Sequence, residues 1–442
     1  MCSTVLTPTS VDNIGREMHD FCRSLFPVCR SITGNGLRES LLAVKQILAD
    51  LNIVEVPTGT RCFDWVVPKE WNIRDAYIVT PSGEKICDFK KNNLHVVGYS
   101  IPVNKRIALG ELQTHLHSRP DMPKAIPYVT SYYQERWGFC LTEEKRLQLV
   151  PGEYEVRIDS ELKIGSLTYG ELLVPGQSTQ EVFFSTYLCH PSMANNELSG
   201  PAVVAHLARW IQSLPNRHYT YRFVFIPETI GSICYLSRNL DRLRKYVVAG
   251  YNVTCVGDDR AYSFLPTPEG NTLSDEVARH VLGHTHPEYI VYENADRESD
   301  ERQYGSPGVD LPVCSIMRSK YRAHPEYHTS LDNLELVTPS GLFGAYDVYQ
   351  KCVECLEMNP ILKSTVVCEP QLGRRGLYPT LSDGKHYDQI KIMRNLIGYA
   401  NGRRSLLAIA GKLKIPLWQI QPVARRLMDE GLLGEIRETI TE

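Results

Sequence analysis

Two hydrophobic rhythms alternate along the chain, and each change of rhythm predicts a change of domain. Residues 11–51 carry apolar positions at helical spacing. Ile14, Met18, Phe21, Cys22 and Leu25 form one face, Ser10-Val11-Asp12 begins that helix, and a second helix is expected from Leu37 to Leu51. From about Thr60 to Ile164 the texture becomes short alternating strands separated by Pro-Ser-Gly, Pro-Gly and Asp-Ser turns, which predicts an inserted all-β domain. Strands interleaved with helices resume at Leu167 and continue to about Leu362. The expected fold class is therefore α/β, a mixed sheet flanked by helices, in a discontinuous domain of residues 1–60 and 165–365 with the insert at 61–164. A third unit is expected at 386–442, after a linker rich in Gly, Pro, Arg and Ser. Its helices at Ile390–Tyr399, Ser405–Leu413 and Leu417–Glu430, followed by a wing starting at Gly431, form a winged helix-turn-helix pattern.

Three apolar segments end in residues able to do chemistry. The run from Glu181 to Leu188 reads as a buried strand, and His190 follows at its carboxyl end, the edge where open α/β sheets bind ligands. Asn195-Asn196-Glu197 then offers amide and carboxylate oxygens before Ser199-Gly200 opens a helix whose positive end faces the same place. The run from Tyr221 to Pro227 ends in Glu228, a carboxylate that partial desolvation would make a better base. Later, Tyr327-His328-Thr329-Ser330-Leu331-Asp332-Asn333 supplies a second histidine in a polar loop, ahead of a helix expected at Pro339–Met358. Two histidines and a carboxylate on separate strand ends are a zinc-type ligand set.

This order of motifs resembles the co-catalytic zinc aminopeptidases of the bacterial leucyl aminopeptidase and glutamate carboxypeptidase superfamily. It runs strand-His, an Asn-rich turn with Ser-Gly, strand-Glu-x-x-Gly, then Ser299-Asp300-Glu301-Arg302-Gln303-Tyr304 and Pro325-Glu326-Tyr327-His328-Thr329-Ser330. Together with Cys29-Arg30-Ser31-Ile32-Thr33-Gly34-Asn35-Gly36, these phrases are similar to a bacterial aminopeptidase-like branch that carries an inserted β domain and a C-terminal winged helix. The resemblance covers nearly the whole chain and implies a zinc-exopeptidase-like fold.

Departures from the superfamily pattern bear on the metal count. Where the two-zinc enzymes have Asp-Asn-Ala-Ser-Gly, with the aspartate bridging both ions, this chain has Asn196-Glu197-Leu198-Ser199-Gly200. Where they have Glu-Glu-x-Gly, it has Glu228-Thr229-Ile230-Gly231, which keeps the base and loses the second-metal ligand. One zinc ion per chain is expected, held by His190 and His328 with Glu197 or Asp258. Asp258 enters because Val253–Gly257 reads as the strand preceding the superfamily's remaining carboxylate ligand.

The chemistry implied is hydrolysis of a small peptide or aminoacyl amide. Zinc would lower the pKa of a water towards ~7, and Glu228 would move its proton as general base. Asp300, Arg302 and Tyr327 are the candidate substrate-binding residues. The resemblance also leaves open a glutaminyl-cyclase-like acyl transferase, or a binding protein that kept the fold with a degenerate metal site.

Composition adds bounds. With 442 residues, 43% of them hydrophobic, and a formal charge of −3, the chain can bury a large core. The 13 cysteines are odd in number and scattered through apolar contexts, and the start of the chain lacks a basic and apolar leader, so a cytoplasmic protein with reduced thiols and no membrane partner is expected. The tail holds nine Lys/Arg against six Asp/Glu, and its recognition helix offers only Arg425 and Arg426, too few for a nucleic-acid partner; a homo-oligomer contact or a substrate-cleft lid fits the unit better.

Overall fold

The computed structural model describes residues 8–377 and 384–436. They form two compact units. The first holds the described residues up to Asp275 together with Tyr289–Asp347, and the second holds Glu276–Glu288 and the described residues from Val348 onward.

An eight-stranded mixed sheet organises the first unit, in the order Asn52–Pro57, Ser166–Val174, Thr220–Ile226, Glu181–Tyr187, Val247–Asn252, Val313–Met317, Ser263–Leu265, Ile290–Val291. The four strands in its middle run parallel. Every residue of Thr220–Ile226 and of Glu181–Tyr187 is buried, as expected for strands covered on both faces. Phe184 stacks on Phe223 and on Tyr251, each at 5.3 Å between ring centroids, which locks the three central strands together. Helices Pro8–Leu25, Asn35–Ile47, Ser199–Ser213 and Ile230–Tyr246 supply the flanking layers. On the first of these, Met18, Cys22 and Leu25 are buried, as their spacing predicts.

Parallel strands share one carboxyl edge, so the turns after Tyr187 and Ile226 emerge side by side. At the opposite edge, the buried Glu181 accepts from Arg222 at 2.6 and 2.9 Å and from Arg242 at 2.9 Å. Burial alone would raise its carboxyl; the two guanidiniums outweigh this and hold it below the usual range.

Between Pro57 and Ser166 the chain leaves the main sheet. It forms a hairpin of Arg61–Cys62 with Trp65–Val66, then a four-stranded antiparallel sheet ordered Lys85–Ile86, Glu70–Val79, Glu153–Lys163, Val103–Ala108. This sheet has its own core around Ile78, Phe139, Tyr154 and Val156, with the short helices Leu109–Leu112 and Glu143–Leu147.

Two expectations need correction. The strand placed at Val253–Gly257 lies at Val247–Asn252; beyond it the backbone is irregular, with Cys255 at φ 52°. The apolar Val253, Cys255 and Val256 mimic a strand because they are buried as loop residues. Nor does the C-terminal unit start at 386. Strand Ile361–Ser364 pairs antiparallel with both Asn401–Ser405 and Leu433–Ile436, so the three-stranded wing sheet needs residues that the sequence assigns to the preceding domain. Its helices are Gly384–Tyr399, Leu406–Leu413 and Leu417–Asp429. No helix among the described residues is long and apolar enough to cross a membrane.

Candidate metal and catalytic site

The turn after Glu181–Tyr187 is built on one carboxylate. Asp332 accepts from three successive amides, Ala194 at 3.2 Å, Asn195 at 2.5 Å and Asn196 at 2.9 Å, and so sets the path of the chain from His190 to the next helix. That helix begins at Ser199-Gly200 under tight constraint. A Cβ on Gly200 would sit 2.4 Å from both the Thr186 hydroxyl and the Val253 carbonyl, so no larger residue fits. Arg30, wholly buried, donates to the His190 carbonyl at 3.1 Å and fixes the turn from beneath.

His190 Nδ1 lies 2.7 Å from Glu197 Oε2, and the other Glu197 oxygen accepts from the Cys189 amide. Both oxygens of Glu197 are thus engaged in holding His190. The imidazole's Nε2 faces Glu228 Oε2 at 3.6 Å. Burial would lower the His190 pKa, but the sulfur of Cys189 and the Glu197 carboxylate outweigh it and hold it well above the ordinary value.

Glu228 follows Ile226 at the same edge. Ser299 donates to its Oε1 at 2.8 Å, and its own amide donates to Cys189 Sγ at 3.3 Å. Burial raises the Glu228 carboxyl, and the His190 charge and the Ser299 bond only partly offset this. Thr229, next in the chain, is a non-glycine at φ 64°, a strained conformation that directs its amide to Asp300 Oδ1 at 2.7 Å. Asp300 also accepts from Ser232 at 2.7 Å, and burial together with the charge on Glu228 pushes its pKa up to about 8.

His328 comes from the loop after Val313–Met317 and also has a positive φ, 57°. Its ring lies 5.3 Å from that of His190, and Tyr327 stacks on it at 3.9 Å. Burial, with the nearby charge of His190, pushes its pKa down to about 2, so the imidazole is neutral; its Nε2 is buried without a hydrogen-bond partner. The inserted domain reaches this point. Tyr128 packs its ring against His190 at 4.9 Å and His328 at 5.2 Å, and its hydroxyl lies 2.8 Å from that of Tyr132.

The structure therefore brings together His190, Glu197, Glu228 and His328, with Tyr327, Asp300 and Arg302 around them. Arg302 donates to the Ser299 carbonyl at 3.2 Å and to the Thr229 hydroxyl at 3.4 Å. Asp258 is engaged in a separate network. Its oxygens accept from Asn195 at 3.0 Å, from the Ser319 amide at 3.0 Å and hydroxyl at 2.8 Å, and from the Arg260 amide at 2.9 Å, which makes it a loop anchor. Sequence reasoning passed over Cys189, Ser299, Asp332 and Arg30, of which Asp332 and Ser299 stand inside the motifs already singled out. Tyr128 belongs to an aromatic patch, Pro127-Tyr128-Val129-Thr130-Ser131-Tyr132-Tyr133, that the sequence offers either as packing or as a wall of the substrate cleft.

The donor set suits a divalent ion. A neutral buried imidazole with an orphaned nitrogen beside a second imidazole and a carboxylate is what a zinc-type ion requires, and Cys189, His190 and Glu197 place potential ligand atoms within 4.8 Å of one another.

The fold is aminopeptidase-like. A zinc aminopeptidase from Bacillus subtilis superposes with a TM-score of 0.55 at 15% identity, covering 77% of this chain and 94% of that one. The chain belongs to the DUF4910 family, described as a domain of unknown function, which matches residues 19–359; a winged helix-turn-helix family matches residues 360–435. A Clostridium acetobutylicum protein, provisionally described as a polysaccharide biosynthesis protein with an aminopeptidase-like domain, is 44% identical over 95% of this chain and 96% of its own. A crystal structure of a provisionally assigned peptidase from Clostridium acetobutylicum matches with a TM-score of 0.91 and 43% identity, covering 97% of this chain and 98% of that one.

Proposed function

We propose that the protein is a metal-dependent aminopeptidase-like hydrolase that cleaves a small peptide or aminoacyl amide, with zinc as the metal. The observation that carries this reading is the grouping of His190, His328 and Glu228, with Glu228 Oε2 3.6 Å from His190 Nε2 and His328 Nε2 buried and unpartnered. His190 and His328 would hold the ion through Nε2. Glu197, bonded to Nδ1, would orient His190 as second-sphere carboxylates do for metal-bound imidazoles.

A bound divalent ion polarises a carbonyl oxygen and makes a water more acidic. Glu228, its carboxyl raised by burial, accepts a proton at Oε2 and returns it to the leaving amine. Ser299 fixes the other oxygen so that Oε2 keeps its aim. Tyr327 and Arg302 border this space and would hold the substrate, while Asp300 positions the strained turn after Glu228. Tyr128 closes one side and excludes water. The description of the 44% identical relative supports a substrate from saccharide biosynthesis.

Metal analysis of the zinc-loaded protein tests the reading. We expect about one tightly held ion per chain, lost in both His190→Ala and His328→Ala while far-ultraviolet circular dichroism is unchanged. Full retention of the ion in either variant, or two ions in the parent, would show that these residues have been assigned wrongly.

A further inference from the structure

The hairpin that opens the inserted domain presents an unusual surface. Its two-residue turn puts Phe63 at φ 55°, a left-handed conformation that a bulky residue adopts only under constraint. The constraint is visible. Cys62 is buried, Val67 donates to the Thr60 carbonyl at 2.9 Å, Gly59 to the Val67 carbonyl at 2.9 Å, and Arg61 Nε to the Phe63 carbonyl at 2.9 Å. This rigid tip displays apolar side chains to solvent, with Phe63 49%, Trp65 38% and Val66 48% exposed, and Tyr133 beside them at 53%. Trp65 and Tyr133 meet edge to face at 5.9 Å. Asp64, Trp65, Val66, Val67, Pro68 and Tyr133 line a groove of about 420 Å³.

The groove is not merely apolar. Among the described residues, the Asp64 carboxylate, the Trp65 indole N–H and the Tyr133 hydroxyl have no hydrogen-bond partner within the protein, so the residues that line the groove offer an acceptor, a donor and a group that can do both, together with two aromatic rings. A pyranose matches that combination. Its C–H faces carry partial positive charge that suits the negative face of an aromatic ring, and its equatorial hydroxyls need donors and acceptors at the edge. An aliphatic side chain would leave all three polar groups unused.

Position links the groove to the candidate site. Tyr133 walls the groove, while the preceding residue, Tyr132, shares a hydroxyl contact of 2.8 Å with Tyr128, whose ring rests on His190 and His328. Tyr132 and Tyr133 are consecutive, so one peptide bond joins the wall of the groove to the residue that touches Tyr128.

We propose that this groove is a saccharide subsite that holds a pyranose ring of the substrate. That the ring belongs to a substrate rests on the hydrolase reading above; the sugar binding does not.

Saturation-transfer nuclear magnetic resonance on the full chain, with the methyl glycosides of glucose, galactose, mannose and N-acetylglucosamine at ~10 mM, tests it, with leucinamide as a non-sugar control. At least one glycoside should bind with a Kd of about 1–10 mM, and Trp65→Ala and Tyr133→Ala should each weaken it about 10-fold. Both residues are exposed, so the fold should tolerate the changes. Glu228→Gln should leave sugar binding intact. Absence of binding by all four glycosides, or binding that survives both substitutions, overturns the subsite even if the protein hydrolyses aminoacyl amides. Glycoside binding that depends on Trp65 in a protein that binds no metal would sink the hydrolase reading and leave the subsite standing.

Discussion

The amide of Tyr128 donates to the carbonyl oxygen of His328 at 3.0 Å, so the inserted domain and the candidate metal site share a backbone hydrogen bond. The contact continues along both chain segments. Ile126 and Ser330 exchange bonds of 2.9 and 3.0 Å, and Pro127 bridges Thr329. His328 keeps its left-handed backbone because a neighbouring chain segment is zipped to it.

Replacing Tyr128 by Ala should therefore loosen His328 while leaving that backbone bond available. The lost ring contacts should lower stability by about 2–4 kcal/mol, below the full value for a buried aromatic because the ring is half-buried. Metal affinity should fall with it. Tyr128→Phe should retain both properties, since the ring rather than the hydroxyl faces the histidines. Denaturant titration and metal competition on the two variants provide the check, and equal behaviour of Ala and Phe would contradict it.

Glu228→Gln preserves shape and removes the proton acceptor. Turnover should drop by roughly 10²- to 10⁴-fold with the ion retained. Loss of the ion together with activity would make Glu228 a ligand. Release of ammonia from a peptide with an N-terminal glutamine, in place of hydrolysis, would point to acyl transfer at the same centre.

Glu197→Gln should behave differently. Because Glu197 bonds Nδ1 of His190, the substitution should weaken metal affinity about 10- to 100-fold without abolishing binding. Complete loss of the ion in a folded protein would instead place a Glu197 oxygen on the metal.

The second unit carries a pH dependence. His280 Nε2 accepts from the Leu417 amide at 2.9 Å, which requires a neutral ring, and burial with the nearby His284 pushes its pKa down to about 4. Unfolded histidine titrates near ~6.5, so between these values the unfolded chain binds more protons. Stability should be full above about pH 6.5 and decline as pH falls towards about 4. The ceiling is about 3 kcal/mol, and partial exposure reduces it to about 1–2 kcal/mol. Unfolding followed by Trp418 fluorescence at pH 5 and pH 7.5 should show the difference. His280→Gln, an acceptor that does not titrate, should shrink it.

Much of the site was legible because parallel strands deliver their last residues to one edge. His190 and Glu228 stand just past apolar runs, and the structure sets them side by side. Tyr128 was not legible as a neighbour of His328, since 200 residues separate them and its aromatic patch points only to packing or to a cleft wall, not to a particular partner. The strand leading to Asp258 was misread for a simpler reason. The burial of Val253, Cys255 and Val256 imitates a strand, which moved the expected strand end towards a carboxylate that turns out to be a loop anchor. The wing strand Ile361–Ser364 was likewise hidden, because its pairing partners lie about 40 and 70 residues further on.

Asp332 gives the site a position in time as well as in space. The three amides it holds lie 136 to 138 residues earlier in the chain. At translation rates of 5–20 residues per second, roughly 7–28 s separate synthesis of the His190 turn from arrival of the carboxylate that shapes it. During that interval the nascent central strands can pair while the turn stays unset. The growing polypeptide thus acquires its scaffold well before the turn that carries His190 can take its final path.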